Sequence, residues 1–283
     1  MKVAIIGLGL IGGSIGLGLK KAKPEITIIG VPRREETIRE AINRGAIDEG
    51  TTDPRRGVTE ADLVFVCTPI NLIPPILKEI SSSLKPGAIV TEVGSSKGEI
   101  VSRAEKIMPR GTYFVGGHPM AGKERVKLEA AEPNLFEGKL WILTPTSKTS
   151  KKALETVKEM VELLNCQTLE MDPKLHDLVV AGISHMPLAV AVALVNTVEY
   201  AEKGKEEMVH CASSGFRDTT RIASGDPVLG VDMFITNKKA VLQMLSAFKK
   251  SLSKIEKLIK EGDPSKIQKE LEIIKTFRDS IYG

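Results

Sequence analysis

Cysteine, aromatic residues and net charge are all low in this 283-residue sequence. The three cysteines, Cys67, Cys166 and Cys211, have neither C-x-x-C nor metal-binding spacing and cannot all pair in disulfides. We therefore expect no metal and a reducing, cytoplasmic location. A net charge of +4 is too small and too dispersed to indicate a nucleic-acid-binding protein, but it is compatible with an anionic small molecule as substrate.

Two apolar segments raise the alternatives of a secretory signal and a membrane span. Residues 3–19 contain six glycines, which is a poor composition for the helical core of a signal peptide. Residues 178–198 carry His185 and Pro187 near their middle and have no flanking cluster of lysine or arginine. We therefore expect no membrane association. The second segment is interpreted as a helix buried in an all-helical domain at a dimer interface.

The start of the chain has the pattern of a dinucleotide-binding β-α-β unit. An apolar run over 2–6 precedes Gly7, Gly9 and Gly12 at G-x-G-x-x-G spacing, and helical sequence runs to Pro24 before a second apolar strand. The glycines permit a tight turn, a close approach of the backbone to a pyrophosphate and close packing of helix on strand. The amino end of the helix offers free N–H groups to phosphates. The predicted cofactor contacts in this turn are Gly7, Gly9, Leu10, Ile11 and Gly12.

The end of the second strand indicates which cofactor binds. An NAD site usually has a carboxylate about 20 residues after the glycines, where it accepts hydrogen bonds from the ribose. No acid occurs between Ile26 and Arg34, and Arg33 and Arg34 stand there instead. Two guanidinium groups can bind the 2′-phosphate of NADP, although arginines at a strand end are also ordinary solvated surface. The sequence favours NADP, with NAD as the alternative.

The periodicity of the chain predicts an α/β fold with two domains. Residues 1–171 are expected to form a Rossmann-type, doubly wound sheet, and residues 172–283 an all-helical dimerisation domain. The later predicted strands are 62–69, 88–93, 112–120, 139–145 and 167–171, with helices at 71–84 and 97–107. The predicted helices of the second domain are 175–204, 215–224, 226–261 and 264–280.

The carboxyl ends of parallel strands form one crevice, where ligands of such sheets bind. Thr68 and Pro69 end one predicted strand and are assigned to the cofactor. Gly94 and Ser95 follow the next, in "GSSKGE", and His118 ends a third, in "VGGHPMAGKE". A histidine at this place can act as a general base near neutral pH, and Ser95 can orient a substrate hydroxyl. Taken alone, a lone histidine is more often a core residue, and a serine before a helix is an ordinary N-cap.

A pair of arginines in the second domain indicates an acidic substrate. Arg217 and Arg221 are spaced i, i+4 in "SSGFRDTTRIASGDP", so that one helix would direct both to the same side. A surface salt bridge to Asp218 is the competing explanation for one of them.

Five blocks in order resemble the prephenate and arogenate dehydrogenases of tyrosine biosynthesis over nearly the whole chain. They are "GLGLIGGS", "GSSKGEI", "GGHPMAG", "LHDLVVAGISHMP" and "GFRDTTRIASGDP". The resemblance implies an NAD(P)-dependent oxidative decarboxylation by a homodimer. It further implies that His118 removes the proton of the ring hydroxyl, that Ser95 hydrogen-bonds this hydroxyl and the histidine, and that Arg221 holds the ring carboxylate. Arg217, Glu124 near the site entrance and His185 complete the expected substrate site.

The chain departs from the family pattern at two places. Prephenate-using members often read "SH-x-PH" and place a tryptophan after "DP-x-x", whereas this chain has Leu188 and Gly230 there. Both departures and the Arg33–Arg34 pair resemble the arogenate-leaning, NADP-using branch.

Two other functions are kept as alternatives. They are a β-hydroxyacid or imine reductase of the same two-domain plan, and a non-catalytic regulator that senses NADP.

Overall fold

The computed structural model describes residues 1–123 and 127–282. Within these residues eight strands form one sheet in the order β3-β2-β1-β4-β5-β6-β7-β8. The strands are β1 (Lys2–Ile6), β2 (Thr27–Val31), β3 (Glu49–Gly50), β4 (Leu63–Val66), β5 (Ile89–Glu92), β6 (Tyr113–Pro119), β7 (Leu140–Thr144) and β8 (Gln167–Glu170). A Rossmann-type sheet followed by a helical domain was predicted, and both are present.

Helices cover both faces of the sheet and form the rest of the chain. Those of the sheet domain are α1 (Leu10–Ala22), α2 (Glu35–Asn43), α3 (Pro54–Val58), α4 (Ile73–Ile80), α5 (Gly98–Ile107) and α6 (Lys151–Glu162). Those that follow are α7 (Pro173–Val180), α8 (Met186–Glu199), α9 (Lys205–His210), α10 (Ser214–Thr220), α11 (Pro227–Thr236), α12 (Lys238–Glu261) and α13 (Pro264–Tyr282). Single 3₁₀ turns lie at Ile70–Leu72, Ser81–Ser83, Leu128–Ala130 and Arg221–Ser224, and a π-helical turn at Ala181–His185.

The core of the sheet domain lies on both faces of the parallel strands. Along β1, Val3 and Ile5 pack into one hydrophobic cluster while Ala4 and Ile6 pack into the other, because successive side chains of a strand point to opposite faces. Burial of an isoleucine such as Ile5 stabilises the fold by about 1.5–3 kcal/mol. A strand that is apolar at every position is therefore expected at the centre of a sheet covered on both faces.

The direction of the strands reverses once along the sheet, between β6 and β7. These two strands are antiparallel, whereas β7 and β8 pair in parallel. The reason lies in the connections. A parallel pairing needs a crossover, usually helical, and α6 provides one between β7 and β8, while the described residues between β6 and β7 contain only a 3₁₀ turn at Leu128–Ala130.

The predicted helices of the second domain are divided more finely than the sequence suggested. The helix expected at 226–261 is broken at Asn237, and the one at 215–224 becomes α10 followed by a 3₁₀ turn. The helix expected at 175–204 runs from Pro173 to Glu199 with the π-helical turn inside it. Pro187 explains this widened turn, because its ring lacks an N–H and crowds the preceding carbonyls. Helix α9 was not predicted.

One helix in the described part of the chain, Pro173–Glu199, has the length and apolar composition needed to cross a membrane. Only 22% of its most apolar window is buried within the protomer, so the burial expected from the sequence is not reached by this chain alone. Ile183, Val192 and Val195 are among its exposed apolar side chains. From the sequence we expect a dimer partner to cover these apolar side chains.

Candidate active site

The glycine turn between β1 and α1 has the shape that phosphate binding needs. Gly7 has a φ of +94°, and a Cβ at this position would lie 2.6 Å from the carbonyl oxygen of Cys67. A Cβ on Gly12 would overlap the carbonyl oxygen of Gly7. Helix α1 begins at Leu10, directly after Gly9, so its free N–H groups face the space left by the missing side chains.

Neighbouring residues extend this cradle towards the two ends of a dinucleotide. The buried Oγ1 of Thr68 has no hydrogen-bond partner among the described residues, and its backbone nitrogen lies beside Gly7. On the other side, the Gly7 N–H donates to the carbonyl of Val31 at 3.0 Å, which joins the turn to the end of β2. The exposed Arg33 and Arg34 follow after Pro32. The set fits a nicotinamide dinucleotide, because it combines a glycine cradle, an unsatisfied hydroxyl and two cations.

His118 lies at the carboxyl end of β6 and is linked to the second domain. Its Nδ1 is 2.9 Å from Nε2 of His176, and Nδ1 of His176 is 3.1 Å from Oδ1 of Asp177. His176 and Asp177 belong to α7, the first helix after the sheet. His118 is thus hydrogen-bonded to the imidazole of His176, which is hydrogen-bonded to the carboxylate of Asp177. Such a series can orient a histidine that acts as a base.

This chain of hydrogen bonds fixes the tautomers. The carboxylate of Asp177 only accepts, so Nδ1 of neutral His176 carries the proton and Nε2 of His176 is an acceptor. Nδ1 of His118 must then donate to His176, which leaves the lone pair of Nε2 of His118 available. A neutral imidazole with a free Nε2 is the form that a general base requires.

The surroundings of His118 keep it in this neutral form. Burial holds the pKa of His118 well below its ordinary value of 6.5, and the charges of His176, Lys97 and His185 act in the same direction. Burial likewise lowers the pKa of His176, although Asp177 opposes this effect. Burial therefore favours the uncharged form of both imidazoles.

Asp177 also joins the two domains. Its carboxylate accepts from the backbone N–H of Lys97 at 2.6 Å and of Gly98 at 2.9 Å, so it caps helix α5 from the other domain. The backbone carbonyl of Asp177 accepts from Nδ2 of Asn237 at 2.7 Å. One residue thus orients His176, caps α5 and anchors the junction of α11 and α12.

His185 belongs to the same buried group. Its Nδ1 lies 3.2 Å from Nδ2 of Asn237, and burial lowers its pKa to about 4, with Asp177 opposing and His176 adding to the shift. Asn237 is itself buried and breaks the helix that the sequence predicted to be continuous. The break places its amide between α7 and the π-helical turn, so a local irregularity serves the junction of the domains.

The remaining predicted site residues lie at the margin. Ser95 is half-buried in the turn after β5, and the adjacent Ser96 donates to Oγ1 of Thr236 at 2.9 Å.

The two predicted arginines lie on the surface. Arg217 is exposed and pairs with Asp218 at 3.1 Å, which is the competing explanation for this residue. Arg221 is exposed in the 3₁₀ turn after α10, a segment that packs against α8. Because α10 ends at Thr220, the two arginines do not share one helix as predicted. Glu124 lies outside the described residues.

Several residues of this site were missed by sequence reasoning. They are Glu92, Lys97, His176, Asp177 and Asn237. One signal was available, because the sequence has only four histidines and three of them meet here. Residues far apart in sequence carry the other contacts, and a single sequence gives no measure of such pairings. Within the described ranges, no group of three His, Cys, Asp or Glu side chains is arranged to hold a metal ion.

Comparison with protein families gives two matches that divide the chain between them. Residues 15–170 match the family model described as "Prephenate dehydrogenase, nucleotide-binding domain". Residues 172–273 match the model described as "Prephenate dehydrogenase, dimerization domain".

Individual proteins are similar over nearly the full length of this chain. Prephenate dehydrogenase of Bacillus subtilis is 36% identical over 280 residues, covering 99% of this chain and 76% of that protein. The structure of Synechocystis arogenate dehydrogenase has a TM-score of 0.90 at 35% identity and covers 99% of this chain and 100% of its own. The structure of prephenate dehydrogenase from A. aeolicus with hydroxyphenyl propionate and NAD+ has a TM-score of 0.93 at 37% identity, with coverages of 99% and 98%.

Proposed function

The chain belongs to the prephenate and arogenate dehydrogenase family, and from this premise we propose that it converts L-arogenate to L-tyrosine and CO₂ with NADP as cofactor. The chain is a dehydrogenase of tyrosine biosynthesis with a nicotinamide cofactor. The choice of arogenate and of NADP is the proposal. The observation that carries the chemistry is the hydrogen-bonded series from His118 through His176 to Asp177 at the carboxyl ends of the strands.

The free Nε2 of His118 takes the proton of the substrate's ring hydroxyl. As the O–H bond breaks, the carbon that bears the hydroxyl gives up its hydrogen with the bonding electron pair and becomes a carbonyl. A bound nicotinamide supplies the acceptor for that hydride. The imidazolium that forms on His118 is then backed by His176 and, through it, by the carboxylate of Asp177.

Loss of CO₂ completes the reaction. The bond between the ring and its carboxylate breaks, the electron pair enters the ring, and the carbonyl oxygen takes up a proton to become a phenol. Aromaticity makes the reaction effectively irreversible. Arg221 is proposed to hold the ring carboxylate before it leaves, and Ser95 to hydrogen-bond the hydroxyl and His118. Arg217, His185 and Glu124 are proposed to complete the substrate site.

Two adjacent positions support arogenate. Gly230 and Leu188 replace the tryptophan and histidine that prephenate-using members often have, and a Cβ on Gly230 would lie 3.5 Å from Cδ2 of Leu188. The two departures from the family pattern are therefore neighbours in space. The loss of two groups that could hydrogen-bond to a ketone disfavours prephenate at this place, and on this ground we choose arogenate. Prephenate remains the second candidate, because similar proteins bear that name.

The end of β2 supports NADP. Arg33 and Arg34 are both exposed and follow Pro32, the residue after Val31, whose carbonyl is bonded to the glycine turn. A 2′-phosphate at this point would find two guanidinium groups, each able to form charge-assisted hydrogen bonds. We also propose that the protein acts as a cytoplasmic homodimer through its helical domain.

Initial rates with purified protein test this proposal in a two-by-two design of arogenate or prephenate against NAD or NADP. The proposal expects the highest kcat/KM for arogenate with NADP. Faster turnover of prephenate, or of NAD, would refute the corresponding choice. No turnover in any of the four combinations would refute the enzymatic function.

A variant sharpens the cofactor part of the test. Arg33→Ser with Arg34→Ser should lower kcat/KM for NADP by about 10- to 100-fold for each arginine that binds the phosphate, with little change for NAD. Arg39→Ser is the matched control, because Arg39 is an exposed cation on α2 that pairs with Glu36 at 3.5 Å. Equal losses with NAD and NADP would contradict the assignment.

A further inference from the structure

A fully buried ion pair lies directly behind the catalytic candidate. The side chains of Glu92, at the end of β5, and Lys97, at the start of α5, are both 0% exposed, and Nζ of Lys97 donates to Oε1 of Glu92. Oε2 of Glu92 also accepts from the backbone N–H of Gly94 at 2.8 Å. Desolvation offsets much of the attraction in a buried pair, so a gain in stability alone is a weak reason for its presence.

The pair holds both backbone polar groups of Gly117, the residue before His118. Glu92 Oε1 accepts from the Gly117 N–H at 3.2 Å, and Lys97 Nζ donates to the Gly117 carbonyl at 2.7 Å. A Cβ on Gly117 would lie 2.8 Å from the backbone oxygen of Glu92 and 2.9 Å from Nε1 of Trp141, so no larger residue fits here and these neighbours lie close to the backbone. The backbone that carries His118 is therefore fixed by two charges and two neighbours.

Lys97 is also connected to His118 by a second series of hydrogen bonds. Its backbone N–H donates to Asp177, which bonds to His176, which in turn bonds to His118. Its side chain reaches the same histidine through Gly117. The contacts form a closed ring in which Lys97 is attached to the strand that carries the base and to the carboxylate that orients it.

The charge of Lys97 acts on the base as well. The ammonium group lowers the pKa of His118, because a nearby cation disfavours the imidazolium. Burial lowers the pKa of Lys97 itself, and the carboxylate of Glu92 opposes this shift. The titratable groups around His118 are Lys97, Glu92, His176, Asp177 and His185.

We propose that Glu92 and Lys97 are positioning residues for the reaction, fixing the place of His118 and keeping it unprotonated until the substrate hydroxyl gives up its proton. This inference rests on the proposed function, in which His118 is the base. Neither side chain needs to touch substrate or cofactor to act in this way.

The test combines the pH profile of kcat/KM with NMR titration of histidine-labelled protein in the absence of substrate. Lys97→Met should raise the pKa of His118 by about one unit and lower kcat by about tenfold or more, with the KM of substrate and cofactor changed less than about threefold. Glu92→Gln should act in the same direction, because a buried amine without its carboxylate releases its proton more easily. Folded Lys97→Met protein with the wild-type pKa of His118 and wild-type kcat would overturn the proposal.

Two controls separate charge from packing. Trp141→Phe disturbs the packing beside Gly117 without changing a charge, and should leave the pKa of His118 unchanged. Lys85→Met removes a cation that pairs with Asp62 at 2.5 Å, at the other end of the strands, and should change neither readout. If Lys97→Met does not fold, the double variant Glu92→Gln/Lys97→Met leaves no unpaired charge in the core, and its His118 pKa decides the question. Wild-type protein that turns over neither acid would refute the function, while the titration would still decide this inference.

Discussion

The two domains differ in how completely each covers its own apolar surface. The sheet domain has two buried hydrophobic clusters, one on each face of β1, in which residues such as Ile5 and Val64 are wholly inaccessible. In the helical domain only a few apolar side chains, Ala191 and Val241 among them, are buried, and large ones such as Ile259 and Phe277 are 66% exposed. The first domain is complete in the sense that it buries its own apolar surface, whereas the second is incomplete and needs another surface to cover it.

The site does not follow this division. His118 comes from the complete domain, and His176 and Asp177, which orient it, come from the first helix of the incomplete one. Asp177 bonds directly to the first turn of α5 in the sheet domain. Assembly of the dimer and the geometry of the base are thereby connected through a single helix. Substitutions can separate the two, because the base lies in the buried junction, whereas exposed apolar residues such as Ile259 and Phe277 lie on α12 and α13.

The largest effect is expected from removal of the base. His118→Asn should lower kcat by about 100- to 10,000-fold, because asparagine keeps a hydrogen-bonding amide near the Nδ1 position but cannot accept a proton. Cofactor affinity and oligomeric state should not change, and calorimetry and light scattering measure both. His210→Asn, an exposed histidine on α9, is the matched control. Turnover of His118→Asn at the wild-type rate would exclude His118 as the base.

A smaller effect, on the free energy of unfolding, is expected when the pH is lowered, because His185 is buried at the junction between the domains. His185 has a pKa of about 4 when folded and an ordinary value of 6.5, so the unfolded chain binds the proton first as the pH falls. The free energy of unfolding should therefore decrease from pH 6.5 to about 4, by about 3 kcal/mol from this residue, and level off below. Urea unfolding across this range measures the slope. His185→Gln should flatten the slope, and a variant with the wild-type slope would show that His185 is not responsible.

The smallest effect is expected from the outer face of the helical domain. Phe277→Glu on α13 should weaken the dimer by about 10- to 100-fold, because an apolar side chain that we expect to be covered there contributes about 1.5–3 kcal/mol. Sedimentation over a dilution series measures the change, and cofactor binding by the sheet domain should persist. Lys275→Glu, on the opposite face of α13, reverses an exposed charge that pairs with Asp279 and should leave the dimer intact. Equal dissociation of the two variants would contradict the proposed interface.

Sequence predicted the parts of the fold that depend on local pattern. The glycine turn, the buried strands and the position of His118 at a strand end all follow from periodicity and from the special geometry of glycine. The antiparallel β7 and the break at Asn237 were not predicted. Strand direction depends on the path of the connection, and the helix break depends on a buried amide that bonds to His185 and to the backbone of Asp177.

The residues that hold His118 in place, such as Lys97 and Asp177, could not be predicted from the sequence for a related reason. Lys97 reads as an ordinary cation at the start of a helix, yet its side chain is wholly buried against Glu92. Asp177 reads as a solvated acid on an amphipathic helix, yet it caps α5, about 80 residues earlier in the chain. Contacts of this range are set by how the two domains pack, which composition and spacing do not encode.

The most direct test of the account measures released CO₂ and reduced cofactor in the same reaction, with arogenate as substrate and NADP as cofactor. Oxidative decarboxylation predicts that the two products appear in equal amounts from the first turnovers. Reduction of the cofactor without release of CO₂ would contradict the account, because a hydroxyl would then be oxidised while the ring carboxylate stayed in place.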